Sequence, residues 1–239
     1  WNSSIATMNI EKVTSALNVD LYTYVVNNKE VDDIKKAFMF ASVPEFDAET
    51  DIAFVQTLRM TAAKYGVKYI IEGHSYIEEG LTPVGANYLD GGYVNSIHDT
   101  HGSLKRKTFP NMTFFQFLKW TVFYQQQFIR PLWYINYSKK DARKELIDRT
   151  GWIYYGGHHL ENRASSFAHK SWLPKKFGID YRNLTLAAQV RKGSITRKHA
   201  LDEYSMPVKE DENLIYYVKK RLKLSDDEYE KIFNMPLKS

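Results

Sequence analysis

The sequence predicts an α/β fold: a parallel, Rossmann-like sheet with helices on both faces in residues 1–138, followed by a mainly helical region in residues 139–239. Three observations predict it. Helical and strand patterns alternate through the first half, and that alternation implies parallel pairing. Strand patterns fade after Ser138, where the chain becomes charged and helical. The 239 residues are 44% hydrophobic and 26% charged, which is enough to bury a sizeable core.

Each element has its own signal. Residues 5–18 carry apolar side chains at helical spacing after the capping pair Ser3-Ser4. Residues 19–26, VDLYTYVV, are β-branched and aromatic and read as a strand. Residues 29–42 form an amphipathic helix. Residues 50–66 form another, opened by Thr50-Asp51 and stopped at Gly66. Residues 67–73, VKYIIEG, are a short apolar strand. Residues 114–129 are apolar but interrupted by Lys119 and three successive glutamines, so they predict a buried helix and not a membrane span. Residues 128–135 read as a strand whose Pro131 puts it at an edge or a strand start. Helices follow at 139–151, 196–205 and 225–234.

Charge is concentrated. From Arg163 to Lys198 there are nine Lys/Arg and one Asp, while the whole chain has a net charge of +5, so the remainder is net acidic. The basic stretch carries few aromatic side chains. A small anion such as a nucleotide-sugar therefore ranks above nucleic acid as its ligand. The absence of cysteine removes disulfides, thiolate metal sites and cysteine nucleophiles, and fits a cytoplasmic protein. The first residue is Trp and no signal-like segment follows, so the sequence reads as a mature product or as a piece of something longer.

In parallel sheets, ligands sit beyond the carboxyl ends of the strands. Beyond 67–73 lie His74, Ser75, Tyr76, Glu78, Glu79 and Gly80. A carboxylate there suits magnesium or the orientation of a nucleophile; a solvated turn is the plainer alternative. A second concentration runs from Tyr155 to Asp180. Gly156 and Gly157 allow positive φ and close backbone approach. His158, His159 and Glu161 suit acid–base chemistry. They do not suit zinc, because adjacent histidines in an extended segment point apart. Arg163, Lys170, Lys175, Lys176 and Arg182 form a cationic set. If residues 161–172 are helical, Arg163 and Lys170 share a face that fits a diphosphate or a uronate carboxylate. A solvated basic face is the alternative, and Lys175, Lys176 and Asp180 equally suit a structural role around the Pro-Lys-Lys-Phe-Gly turn.

The strings YIIEGHSYIEEG, IRPLWYI, YGGHHLENRASSFAHKSWLPKKFGIDYRN and GSITRKHALDE together resemble the N-acetyl sugar amidotransferases of the WbpG/PseA type, within the PP-loop ATP pyrophosphatase superfamily. The resemblance runs through nearly the whole chain. It implies a PP-loop ATPase-type fold and conversion of a sugar acetamido group to acetamidino: ATP adenylylates the amide oxygen, ammonia displaces AMP, and pyrophosphate leaves. It implies ATP and Mg²⁺ as cofactors, a nucleotide-sugar substrate, and a glutaminase subunit that supplies ammonia, in surface polysaccharide or LPS O-antigen biosynthesis. By the same resemblance Glu79 is a Mg-ATP or positioning carboxylate and His74 an orienting group. Arg130, with Gly156 and Gly157, attends to ATP phosphates; His158 and Glu161 attend to acid–base work. The cationic set binds the sugar nucleotide. The Ser-Gly-Gly-x-Asp-Ser phosphate loop and the four-cysteine zinc ribbon are absent. The chain thus resembles a member lacking its first two strands, which would leave the sheet with exposed edges. This expectation leaves two alternatives: a degenerate, non-catalytic domain that binds a sugar nucleotide or a partner subunit, and a PP-loop tRNA-modifying enzyme.

Overall fold

Local capping sets most helix ends. The computed structural model describes residues 1–80, 90–157 and 160–237. α1 (Ser4–Leu17) starts where the Ser3 side chain accepts from the Ala6 N–H, and stops at Asn18 in the left-handed conformation. α2 (Asn28–Ala41) starts on the Asn27 side chain. α3 (Ala48–Lys64) starts after Asp47, whose carboxylate does not cap it. That carboxylate instead accepts from Lys35 at 2.5 Å, Thr50 at 2.7 Å and Ser165 at 2.5 Å. α3 ends at the expected glycine, Gly66, with φ +68°.

Then come β1 (Tyr69–Ile71), α4 (Tyr76–Glu79), α5 (Gly91–His101), α6 (Phe114–Leu118) and β2 (Gln127–Ile129). The second half holds α7 (Lys139–Thr150), α8 (Arg163–Phe167), α9 (Arg182–Lys192), α10 (Arg197–Ser205), α11 (Glu212–Leu222) and α12 (Asp226–Asn234). Ser138, Thr196 and Ser225 cap α7, α10 and α12, and Gly151 ends α7 with φ +68°. α8 runs on directly into a π-helical stretch, Ala168–Phe177.

The fold is mostly helical, with a two-stranded parallel sheet; the larger Rossmann-like sheet is not seen among the described residues. β1 pairs with β2 in the register Ile70↔Phe128. The strand expected at 19–26 is not formed: these residues belong to no helix and no ladder. A strand needs a partner for its backbone groups, and β-branched composition cannot supply one. The strand expected at 128–135 stops at Ile129, where Pro131 begins a 3-10 turn, Pro131–Trp133. The buried helix expected at 114–129 is also corrected. It breaks into α6, a π-helical stretch Lys119–Phe123, and β2. Phe115 and Phe123 are exposed, and Trp120 is the buried anchor, its indole N–H donating to Gln56 at 2.8 Å.

One face of the sheet rests on α3, where the Arg59 guanidinium lies 4.8 Å over Phe128. The other is bare: Tyr69 is 61%, Ile71 76% and Ile129 41% exposed. Parallel sheets ordinarily bury both faces, so this surface is unusual for its type.

Two apolar clusters share α2. Ile34, Phe38, Ile52, Val94 and Ile97 pack on one side of it. Met39 and Phe46 join Phe167, Trp172, Val218 and Ile232 on the other. The second cluster draws on residues from both sides of position 138 and fixes α8, α11 and α12 against the first half. Each such fully buried side chain contributes about 1.5–3 kcal/mol. None of the described helices is long and apolar enough to cross a membrane.

Candidate functional site

The carboxyl ends of β1 and β2 lie side by side, and the residues leaving them form one cluster. Glu72 follows β1 and Arg130 follows β2; the Arg130 Nε donates to the Glu72 carboxylate at 3.0 Å. The same guanidinium lies 5.0 Å over the ring of Trp133. Glu79, at the end of α4, faces two cations or potential cations: His74 Nε2 at 3.7 Å and Lys139 Nζ at 3.6 Å. Gly80 follows with φ +81°, and a Cβ there would lie 2.7 Å from the carbonyl oxygen of Leu184. Glycine is therefore what lets α4 dock on α9.

Lys139 connects this cluster to a cavity of about 730 Å³, which it also lines. α7 contributes Lys139 and Arg143, the segment after α7 contributes Trp152, Tyr154 and Tyr155, and Lys170 and Arg182 come from the basic stretch. The aromatic wall is ordered by mutual contact. Trp152 meets Tyr155 edge-on at 5.3 Å, and Arg143 lies 3.8 Å over Tyr154. His169 stacks flat on Tyr181 at 4.4 Å, and both line the cavity. Burial and the hydrogen bond to Glu161 push the Tyr155 hydroxyl up to about 12, so it is a neutral donor at ordinary pH. Aromatic faces beside cations and hydrogen-bonding groups suit a polar ring compound carrying negative charge.

The expected site residues divide between places. Glu79, His74 and Arg130 gather at the strand ends. Gly156, Gly157, Lys170 and Arg182 line the cavity, and Glu161 reaches it through Tyr155. Gly156 has φ +97°, and a Cβ on Gly157 would lie 2.9 Å from the Leu160 side chain, so each glycine has its own local reason. His158 lies outside the described residues.

The cationic set does not act as one surface. Arg163 turns to Tyr217, 4.5 Å over its ring, and its backbone N–H donates to the Trp1 carbonyl. The face it was expected to share with Lys170 is lost because the helix becomes π at Ala168, which changes the residues per turn. Phe167, which lies between them in the sequence, is fully buried in the core, as is Trp172. Lys175 is half-exposed, 3.7 Å from Glu210. Lys176 donates to the carbonyls of Ile232, Phe233 and Met235, closing the end of α12. Arg182 chelates Asp180 and donates to the carbonyls of Glu203 and Met206 at the end of α10, while also lining the cavity.

Sequence reasoning missed Lys139, which carried only a helix-start signal. It also missed two buried groups at the strand ends. Ser75 is 1% exposed and its hydroxyl has no hydrogen-bond partner; the buried indole N–H of Trp133 has none either.

Residues 161–239 match a family model described as LPS biosynthesis protein WbpG-like, C-terminal domain. The match covers α8 to the end of the chain, and so includes one wall of the cavity but not the strand-end cluster. No curated protein matches the chain.

Proposed function

We propose that this chain takes part in the ATP-dependent amidation of an N-acetyl sugar used in LPS biosynthesis and supplies the sugar-binding side of that reaction. One observation carries the reading: the Glu79 carboxylate at the strand ends is joined through Lys139 to an aromatic and cation-lined cavity of about 730 Å³. The description of the family model over residues 161–239 supports the pathway. In the overall chemistry the acetamido oxygen bonds to the α-phosphorus of ATP and pyrophosphate leaves. Ammonia then adds to the activated carbon, and AMP departs with the oxygen.

The residues suit separate parts of that task. Arg130 and Lys139 would bind phosphate oxygens, and the cavity aromatics the sugar and its base. Among the described residues no three His, Asp or Glu side chains converge on a metal position. Magnesium would thus be held by Glu79 together with phosphate oxygens, as suits an ion that keeps part of its shell from substrate and water. A glutaminase subunit would supply ammonia. The edges of the two-stranded sheet are where strands leading to a phosphate-binding loop would pair.

Calorimetric titration with UDP-N-acetylglucosamine tests the reading, with AMP release measured beside it in the presence of ATP and ammonium. Binding without AMP release from the isolated chain is expected, because the triphosphate needs a loop of backbone N–H groups that these 239 residues lack. Absence of binding overturns the reading. The missing loop also favours a second reading, a sugar-nucleotide-binding domain with no ATP chemistry. The two part company when the missing strands and loop are supplied: only the first then yields AMP.

A further inference from the structure

We propose that Ser75 and Trp133 form a two-donor clasp for an amide carbonyl, placing the acetamido group of the substrate at the strand ends and not in the aromatic cavity. This rests on the sugar reading above and adds to it the position of the reacting group.

The argument starts from two polar atoms without partners. Ser75 precedes α4, where a serine hydroxyl usually caps the helix, yet its side chain makes no capping bond. Its hydroxyl is buried and unpaired. The Trp133 indole nitrogen can only donate, and it too is buried and unpaired. Buried polar groups without partners are costly, and two donors in one place are a pair that a single acceptor from outside the chain would satisfy.

The two groups belong to one place. The Trp133 ring meets Tyr76 edge-on at 5.1 Å and His74 at 6.3 Å, the residues on either side of Ser75.

The surroundings select the acceptor. Arg130 is paired with Glu72 at 3.0 Å, and Glu79 stands between His74 and Lys139 at 3.7 and 3.6 Å. The local charges are matched, and the two open donors are themselves uncharged. A carbonyl oxygen, which has no hydrogen and no full charge, satisfies both donors and leaves the ion pairs intact. A phosphate without magnesium would bring uncompensated negative charge beside Glu72 and Glu79. Held there, the amide would lie beside Glu79 while the rest of the sugar nucleotide extends past Lys139 into the cavity.

The test is a ¹⁵N-labelled chain, with the Trp133 indole cross-peak assigned by its loss in Trp133→Phe. It is titrated with N-methylacetamide and, separately, with inorganic phosphate. N-methylacetamide should move the Trp133 peak downfield, saturably, and phosphate should not. Ser75→Ala should weaken that response by about fivefold, the worth of one neutral hydrogen bond. In the absence of ligand, Ser75→Ala should melt no lower than the parent chain, because it removes an unpaired group. Three results overturn the clasp: no shift with the amide, an equal or larger shift with phosphate, or a marked loss of stability in Ser75→Ala, which would mean the hydroxyl is already bonded within the protein. These outcomes are independent of nucleotide-sugar binding, so the clasp and the sugar reading fail separately.

Discussion

Replacing Glu49 with Gln should stabilise the chain at pH 8 and change it little at pH 4.5. Glu49 and Lys35 are both fully buried, and the Lys35 ammonium contacts Glu49 and Asp47. Two carboxylates share one ammonium. Asp47 has the better part, with Thr50 and Ser165 also donating to it, and despite its burial Lys35 and these hydroxyls hold it below the usual range. Glu49 keeps one oxygen with no partner. Burial therefore outweighs the pull of Lys35 and raises the Glu49 carboxyl from 4.5 to about 7. A carboxyl whose folded value is raised stabilises the fold below its unfolded value, and that stability is lost as pH rises through the folded value. Here the window runs from 4.5 to about 7. The shift corresponds to about 3 kcal/mol between the two ends. Gln resembles the protonated acid and does not titrate, so the two chains should match below the window and differ by up to about 3 kcal/mol above it, in favour of the variant. Asp47→Asn is the contrast: it strips Lys35 of its firm partner and should cost about 3–5 kcal/mol at pH 8. Denaturant unfolding of the three chains from pH 4.5 to 8.5 measures this. If Glu49→Gln instead loses several kcal/mol at pH 8, Glu49 is an ionised partner of Lys35 and the reasoning is refuted.

Lys139→Met should weaken UDP-N-acetylglucosamine binding by about tenfold to a hundredfold, the worth of a charge-assisted hydrogen bond, with an unchanged melt; calorimetry beside a thermal scan decides. Gly80→Ala should destabilise by about 1–3 kcal/mol, since the new Cβ meets the Leu184 carbonyl at 2.7 Å and the residue has φ +81°. A loss as small as that of an exposed helix substitution would show that α4 is not held against α9. Asp33 accepts from the Ser103 and Leu104 N–H groups, each at 2.9 Å, and contacts His98 at 2.7 Å. Although burial opposes it, these partners lower its carboxyl below 3.8, so its stabilisation is present above 3.8 and lost as pH falls through the folded value. Asp33→Asn should cost about 1–3 kcal/mol at neutral pH, with the gap closing in acid; a constant gap would mean the loss is steric.

α1, α2, α3, α7, α10 and α12 were legible in the sequence because their signals are local. Ser3, Ser138, Thr196 and Ser225 each accept a hydrogen bond within their own first turn, and Gly66 and Gly151 end their helices without a distant partner. His74 and Glu79 were legible for a related reason: residues that follow a short apolar run lie beyond a strand whatever pairs with it, whereas Glu72 was read as part of the strand itself. Tertiary structure alone decided the rest. Residues 19–26 have strand composition and no strand, because a ladder depends on a partner elsewhere. Lys176 and Lys170 look alike in sequence, yet one closes α12 through three carbonyls and the other lines the cavity, since a cation's task is set by what the fold brings to it. Lys139 reaches Glu79 across 60 residues, and Trp133 approaches the Ser75 turn only because β1 and β2 lie side by side. Composition and period act over a few residues, whereas pairing, burial and an unfilled hydrogen bond exist only once distant segments have met.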